Sequence, residues 1–485
     1  MTTSRHNTIG LGMPARATAK TWLVAALLVA AACRLGVFLA FPSVFDFVAT
    51  RTVHGSEAFD TYARNLVATA VWGHAPGVPD AAIPPVYGVV LAGTFAAFGR
   101  SAAAVAGVQT AFDLLSIALL ASLGASLFRR PAVGVLAAFA AACYPYLVFQ
   151  TLVVNDTALF ILELVAFLWL LERLRDGPPE GRSVAAVAAG VVLGLGTLTR
   201  PAMLLVGAAA GAWLLLRLPF REAARRLVPA GLAAALVLGL WAARNARVFG
   251  RFVPIATNGG SNFWQGNNAR TRAFLRAGYD AQWISPGALG GADFRDPASD
   301  GIFFRAGLQF LRDHPSEIPK LLWEKARTQW SLDIAPRRNP SPGAASELPG
   351  VESGAAVAAY SGRLFDAVGR TVHRVFWGTA LALACVGLVA SRRAWRDVSL
   401  AWAAPAGLTI SYVLFHPSTR YRLPGDLTVF LFSAAGVLAL VERLRRAASE
   451  KGASAAKAAP GTARRDVSDV HHDGLQEQLE PDEKG

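Results

Sequence analysis

About ten apolar stretches, each near the length a helix needs to cross a bilayer, fill most of this 485-residue chain. They run Thr21 to Phe41, Ala102 to Phe128, Ala132 to Val154, Thr157 to Leu171, Val184 to Thr199, Ala202 to Leu216, Leu227 to Ala243, Val375 to Ala390, Leu400 to Phe415 and Leu427 to Val441. Backbone groups in hydrocarbon find no water, so such segments fold as helices whose bonds are internal. The chain is therefore expected to be an all-α polytopic membrane protein. Several stretches fall short of roughly 20 residues, so their helices are expected to extend a turn into the flanks.

The composition agrees: 53% of residues are hydrophobic, 16% are charged and mean hydropathy is +0.38. The net charge of +14 lies in short arginine clusters beside the apolar runs, which is a topological signature and not a nucleic-acid surface. Cys33, Cys143 and Cys385 all sit inside apolar segments, so neither a disulfide framework nor a zinc site is indicated.

Two kinds of polar junction alternate along the chain. Arg129 and Arg130, Arg173 to Arg182, Arg217 to Arg226, Arg392 to Arg396 and Arg443 to Arg446 form the basic set, which the positive-inside rule places in the cytoplasm. Glu57, Asp60, Asp156, Arg200, Arg244 and the stretch His416 to Arg422 fall between them and converge outside. This predicts a cytoplasmic N-terminus (1–20), a transmembrane module (21–243) with a first external loop (42–101), and an external loop domain (244–374). C-terminal helices (375–441) and a disordered cytoplasmic tail (442–485) complete it. The run Thr21 to Phe41 is too long for a signal-peptide core and reads as a retained span. Ile83 to Gly99 breaks the count and is placed as a half-inserted external helix, started by Pro84 and Pro85.

Chemistry concentrates on the external set. Glu57 and Asp60 are three apart, so on a helix they share a face and could supply a general base or hold a divalent cation. Asp156 sits in the turn Asn155-Asp156 at the lipid boundary. Arg200, Arg244, Arg420 and Arg422 lie on the face where positive charge is disfavoured, which a phosphate partner would explain. Within the spans, Arg34 and Asp113 read as an ion pair, and Glu163 is a third ionisable residue in hydrocarbon.

The ordered set Tyr62-Ala63-Arg64-Asn65-Leu66, Pro84-Pro85-Val86-Tyr87, Asn155-Asp156, Leu198-Thr199-Arg200-Pro201, Arg244-Asn245, Gly259-Gly260 with Trp264 and Gly266-Asn267-Asn268, and His416 to Pro424 carries a resemblance. It resembles the GT-C superfamily of polyprenyl-phosphate-sugar-dependent glycosyltransferases, in the bacterial branch similar to protein O-mannosyltransferases and aminoarabinose transferases. The resemblance implies a GT-C-like helix bundle that moves a hexosyl or pentosyl group from a polyprenyl-phosphate donor to a lipid, glycan or protein acceptor. It further implies a first-loop acid that activates the acceptor and arginines that neutralise the departing phosphate. Relatives commonly carry Asp or Asp-Glu seven or eight residues before the position of Ala63, where this chain has Gly55 and Ser56; Glu57 is the nearest acid and Asp60 the next. Glu57 is thus the expected base, with Asp60 its alternate, Asp156 a second acid, and Arg200, Arg244, Arg420 and Arg422 the phosphate ligands. Tyr62, Tyr87, Asn258, Trp264 and Asn267 are expected to line the substrate cleft. The setting implied is the periplasmic face of a bacterial inner membrane, with no nucleic-acid partner. A transporter or flippase, using Arg34, Asp113 and Glu163, and a non-catalytic polysaccharide-assembly protein are the competing readings.

Overall fold

The computed structural model describes residues 16–47, 56–176, 179–284, 289–336 and 363–458. The described secondary structure is helical, as the apolar pattern predicts. In chain order the helices are α1 (Arg16–Ala40), α2 (Ser56–Thr69), α3 (Val86–Phe98), α4 (Ala102–Leu127), α5 (Pro131–Cys143), α6 (Pro145–Leu152), α7 (Thr157–Asp176), α8 (Pro179–Thr199), α9 (Met203–Arg217) and α10 (Phe220–Phe249). Short helices α11 (Gly259–Gly266), α12 (Thr271–Ala277), α13 (Asp300–Asp313) and α14 (Ile318–Gln329) come next, then α15 (Arg363–Ser391), α16 (Ala403–Leu414) and α17 (Thr419–Ala458). Among the described residues six helical stretches are long and apolar enough to cross a membrane, and the bent pair α5–α6 makes up to seven. α7 and α9, expected as spans, are excluded from that count, α9 because it has only 15 residues.

Local sequence sets the ends of these elements. Ser101 caps α4 by accepting the amide of Ala104 at 3.3 Å, and α3 stops at Gly99, whose φ of 72° favours a residue without a side chain. Pro145 removes an amide, so the helix bends by 60° between α5 and α6. The carbonyls freed there are taken by Arg34, which donates to Ala142 at 2.5 Å and Ala141 at 3.4 Å while its Nε pairs with Asp113 at 2.6 Å. Arg34 and Asp113 are 1% and 0% exposed, so the expected intramembrane ion pair is present and also seals a helix break. Small residues let backbones touch: a Cβ on Gly134 would stand 2.0 Å from the Ala121 carbonyl, and one on Gly387 would stand 1.8 Å from that of Phe432.

Three of the arginine-rich junctions, 173–182, 217–226 and 392–396, meet at one end of the bundle. Arg175 and Arg217 both reach Asp397, at 3.3 and 2.5 Å, Arg175 also bonds Glu172, and Glu172 accepts the hydroxyl of Ser126. The turns 153–156, 200–202 and 415–418 meet at the other.

Three expectations are corrected. Among the described residues of 244–374 no separate external domain stands apart: α10 runs to Phe249, and α11 to α14 belong to the same compact unit, Met1–Ala439, as the helix bundle. Their own apolar cluster around Trp264 and Phe303 is too small to stand alone, so they pack on the bundle, with Trp330 donating to Thr409 of α16 at 3.2 Å. α15 starts at Arg363, well before Val375. In the second unit, Leu440–Gly485, the helix continues to Ala458 through alanine, arginine and glutamate, all good helix formers, where a disordered tail is expected from residue 442. Residues 459–485, with His471 and His472, lie outside the described residues.

Candidate functional site

Asp156 is the centre of the polar end. The four-residue turn before α7 places its carboxylate, 4% exposed, against Arg200, whose Nε and Nη2 fork onto the two oxygens at 2.6 and 2.5 Å. The same Nη2 bonds the hydroxyl of Thr157 at 2.8 Å. Arg420 approaches Asp156 from α17 at 3.7 Å. Burial by itself would raise the carboxyl's pKa, but the charge and two hydrogen bonds of Arg200, with the charge of Arg420, hold it below the ordinary value. One buried carboxylate is thus shared by two guanidiniums. Around them lie Tyr421, beneath both arginines at 5.2 and 5.8 Å, and Tyr412, stacked on Tyr421 at 4.5 Å. Glu163, one and a half turns further along α7 from Thr157, accepts the hydroxyl of Thr199 at 2.9 Å.

The two first-loop acids part company. Ser56 at the start of α2 donates to the carbonyl of Val154 at 2.5 Å, so α2 begins against the turn that carries Asp156. Glu57, the next residue, is exposed. Asp60 is buried and committed: Arg100 forks onto it at 2.8 and 3.0 Å, and Arg64 adds a bond at 3.2 Å. These bonds raise the pKa of Arg100, and they pin α2 to the corner between α3 and α4.

The remaining expected residues hold the surrounding loops and helices. Arg244 donates to the carbonyls of Asp80 and Trp72 at 3.0 and 3.2 Å, so it fastens the loop 70–82. Tyr62 serves the same loop by donating to Asp80 at 2.5 Å; burial and that carboxylate raise its pKa. Arg422 pairs with Asp426 at 2.9 Å within α17, donates to the carbonyls of Gln329 and Ser331, and lies 4.2 Å over Trp377. Tyr87 donates to Gln109 at 2.7 Å. Trp264 is packed among Phe274, Tyr279 and Phe303, and Asn258 receives the amide of Asn262 at the start of α11. The structure therefore gathers Asp156, Arg200 and Arg420, leaves Glu57 exposed one residue beyond the Ser56 contact with Val154, and gives Arg244, Arg422 and Asp60 other partners.

Asn267 bonds the carbonyls of Phe263 and Leu414 and accepts from Lys325 at 3.0 Å. Lys325 is fully buried, and burial pushes its pKa down to about 7. Because the folded pKa lies below the unfolded one, the unfolded chain binds more protons between about pH 7 and the ordinary lysine range, and stability from this group rises with pH across that window. We expect Lys325→Met to raise the melting temperature in detergent by more at pH 6 than at pH 9; an equal shift at both values would contradict the burial of the ammonium.

Sequence reading missed Arg100, Asp80 and Asp280. Each is a single polar residue near a turn, and only the fold reveals its partner. Among the described residues no group of three or more histidine, cysteine or acidic side chains gathers as a metal centre would require.

The described helices form an all-helical, multi-pass membrane bundle with the polar turns around Asp156 gathered at one end. Residues 82–243, which include α3 to α9 and part of α10 and carry Asp156 and Arg200, match the model of the dolichyl-phosphate-mannose-protein mannosyltransferase family, so the match covers about a third of the chain. The Archaeoglobus fulgidus oligosaccharyltransferase in its apo form is similar in fold, with a TM-score of 0.52 at 13% identity over 91% of this chain and 52% of that one. The same enzyme tethered to an acceptor peptide gives 0.52 at 12% over 88% and 50%. The chain spans about half the length of these structures. No curated protein matches the sequence.

Proposed function

We propose that the chain transfers a sugar from a polyprenyl-phosphate donor to a lipid, glycan or protein acceptor at the external face of the inner membrane. The observation that carries this reading is the convergence of two arginines on one buried carboxylate, which sets two positive charges against that single acid. In a water-poor site such a concentration of cations favours an anion, and a lipid phosphate is one that reaches the membrane boundary. The external assignment rests on the arginine clusters at the opposite end of the bundle.

In this reading the donor phosphate engages Arg200 and Arg420. An acceptor hydroxyl or amine gives its proton to Glu57 and attacks the anomeric carbon. The bond from that carbon to the phosphate oxygen breaks, its electron pair stays on the phosphate, and the two guanidiniums stabilise the charge as it develops. Asp156 keeps the arginines forked and close until the donor arrives. Reconstitution in proteoliposomes with radiolabelled polyprenyl-phosphate sugar tests this. Appearance of label on acceptor with release of polyprenyl phosphate is expected; movement of solute with the donor intact would instead establish a transporter.

A further inference from the structure

Besides the packing of α14 on α16, the short helices after α10 meet the bundle at one turn, 415–418. A Cβ on Gly266 would stand 1.8 Å from the carbonyl oxygen of Phe415, so nothing larger than glycine fits between α11 and that turn. Asn267 and Lys325 hold the carbonyl of Leu414 at 2.9 and 3.4 Å, and Phe263 meets the ring of Phe415 at 5.7 Å. Next along the turn is His416, 5% exposed, whose Nδ1 lies 3.5 Å from Asp280 and whose Nε2 lies 3.4 Å from the side-chain oxygen of Asn262. Asp280 is itself fixed, because its carboxylate accepts the amide of Gln282 at 3.1 Å.

The end of the turn and the start of α17 connect His416 to the site. The edge of its ring meets Tyr421 at 5.6 Å, Tyr421 lies under the guanidinium of Arg420, and the Arg420 amide is capped by the Ser418 hydroxyl at 3.3 Å. Arg420 is the looser of the two arginines on Asp156, at 3.7 Å against 2.5 Å for Arg200, so its placement depends more on the turn that presents it.

We propose that His416 and Asp280 form a positioning pair that sets the guanidinium of Arg420 for phosphate, through the turn and the Tyr421 ring. An imidazole suits the task because it is rigid and presents its two nitrogens on opposite edges, here Nδ1 within ion-pair distance of Asp280 and Nε2 toward the Asn262 oxygen. The proposal rests on the reading of Arg420 as a phosphate ligand.

The test is binding of a polyprenyl phosphate to the full chain in nanodiscs, with melting temperatures as the control for folding. His416→Ala is expected to weaken binding about tenfold, the size of one hydrogen bond to a charged group. Arg420→Ala should weaken it by at least as much, and the double variant no more than Arg420→Ala alone, because the imidazole then has nothing left to position. His416→Asn, which keeps a donor toward Asp280, should recover part of the loss and serves where the alanine variant does not fold. Multiplicative losses in the double variant, or normal binding by a folded His416→Ala protein beside a weakened Arg420→Ala, would overturn the positioning role and leave the phosphate reading intact. Normal binding by Arg420→Ala would overturn both.

Discussion

Glu57→Gln is expected to lower sugar transfer about a hundred- to ten-thousand-fold, the usual cost of losing a general base, without loss of folded protein. Glutamine keeps the shape but cannot accept a proton. Glu57 is exposed, so the change removes no packing, and the bond from Ser56 to Val154 that holds α2 beside Asp156 remains. Asp60→Asn should behave differently. It weakens the fork with Arg100 and the bond to Arg64, so its effect should be a lower melting temperature with a smaller fall in the rate of the chemical step. Single-turnover rates and melting curves on both variants separate the cases. A rate lost with Asp60→Asn and kept with Glu57→Gln would move the base to Asp60; two near-normal rates would favour a non-catalytic membrane protein.

Asp113→Ala is expected to destabilise the bundle by about 3–5 kcal/mol, because it leaves Arg34 charged and buried without its counter-ion. The two carbonyls at the α5–α6 break can hydrogen-bond the guanidinium but cannot neutralise it. Replacing both partners, as Arg34→Met with Asp113→Leu, should recover much of the loss, since apolar residues of similar volume often substitute for a buried ion pair. Unfolding in mixed detergent micelles measures both. A single variant as stable as the wild type would show that the charge finds water at this depth, and the pair would then carry no structural weight.

Hydrophobic length and the alternation of arginines made the helical class and most spans legible, because both are written in local composition. The turns Asn155-Asp156 and Arg200-Pro201 were legible for the same reason: each is a charge confined to a junction too short to turn it away from the bundle. What local pattern does not contain is the partner. Arg244 and Arg422 look like Arg200 in sequence, yet one closes on the carbonyls of a loop and the other on Asp426 four residues away in its own helix. Glu57 and Asp60 share a helical face by spacing, but α2 lies against the corner that presents Arg100, so the buried acid is taken and the exposed one is left. Trp264 reads as a ring available to stack on sugar, whereas its contacts are with Phe303 and its neighbours in a small core. The external placement expected of residues 244–374 came from the alternation of the arginine clusters, and the close approach of Gly266 to Phe415 has no signature beyond one glycine.

The turn carrying Asp156 is only residues 153–156, strung between α6 and α7 and tied by Asn155 to Gln150 and to the amide of Thr157 at 2.9 and 2.8 Å. A carboxylate on so short a tether has no freedom to rise or sink. Its level along the bundle is set by the two helices it joins, as a mark is set on a ruler. The pairing with Arg200, at the head of a third rod, fixes the same level from another direction. On the proposed function a reacting headgroup would come to that level, so adding or deleting one helical turn in α7, about 5.4 Å, would shift the plane of reaction as a whole and not merely reshape the pocket around it.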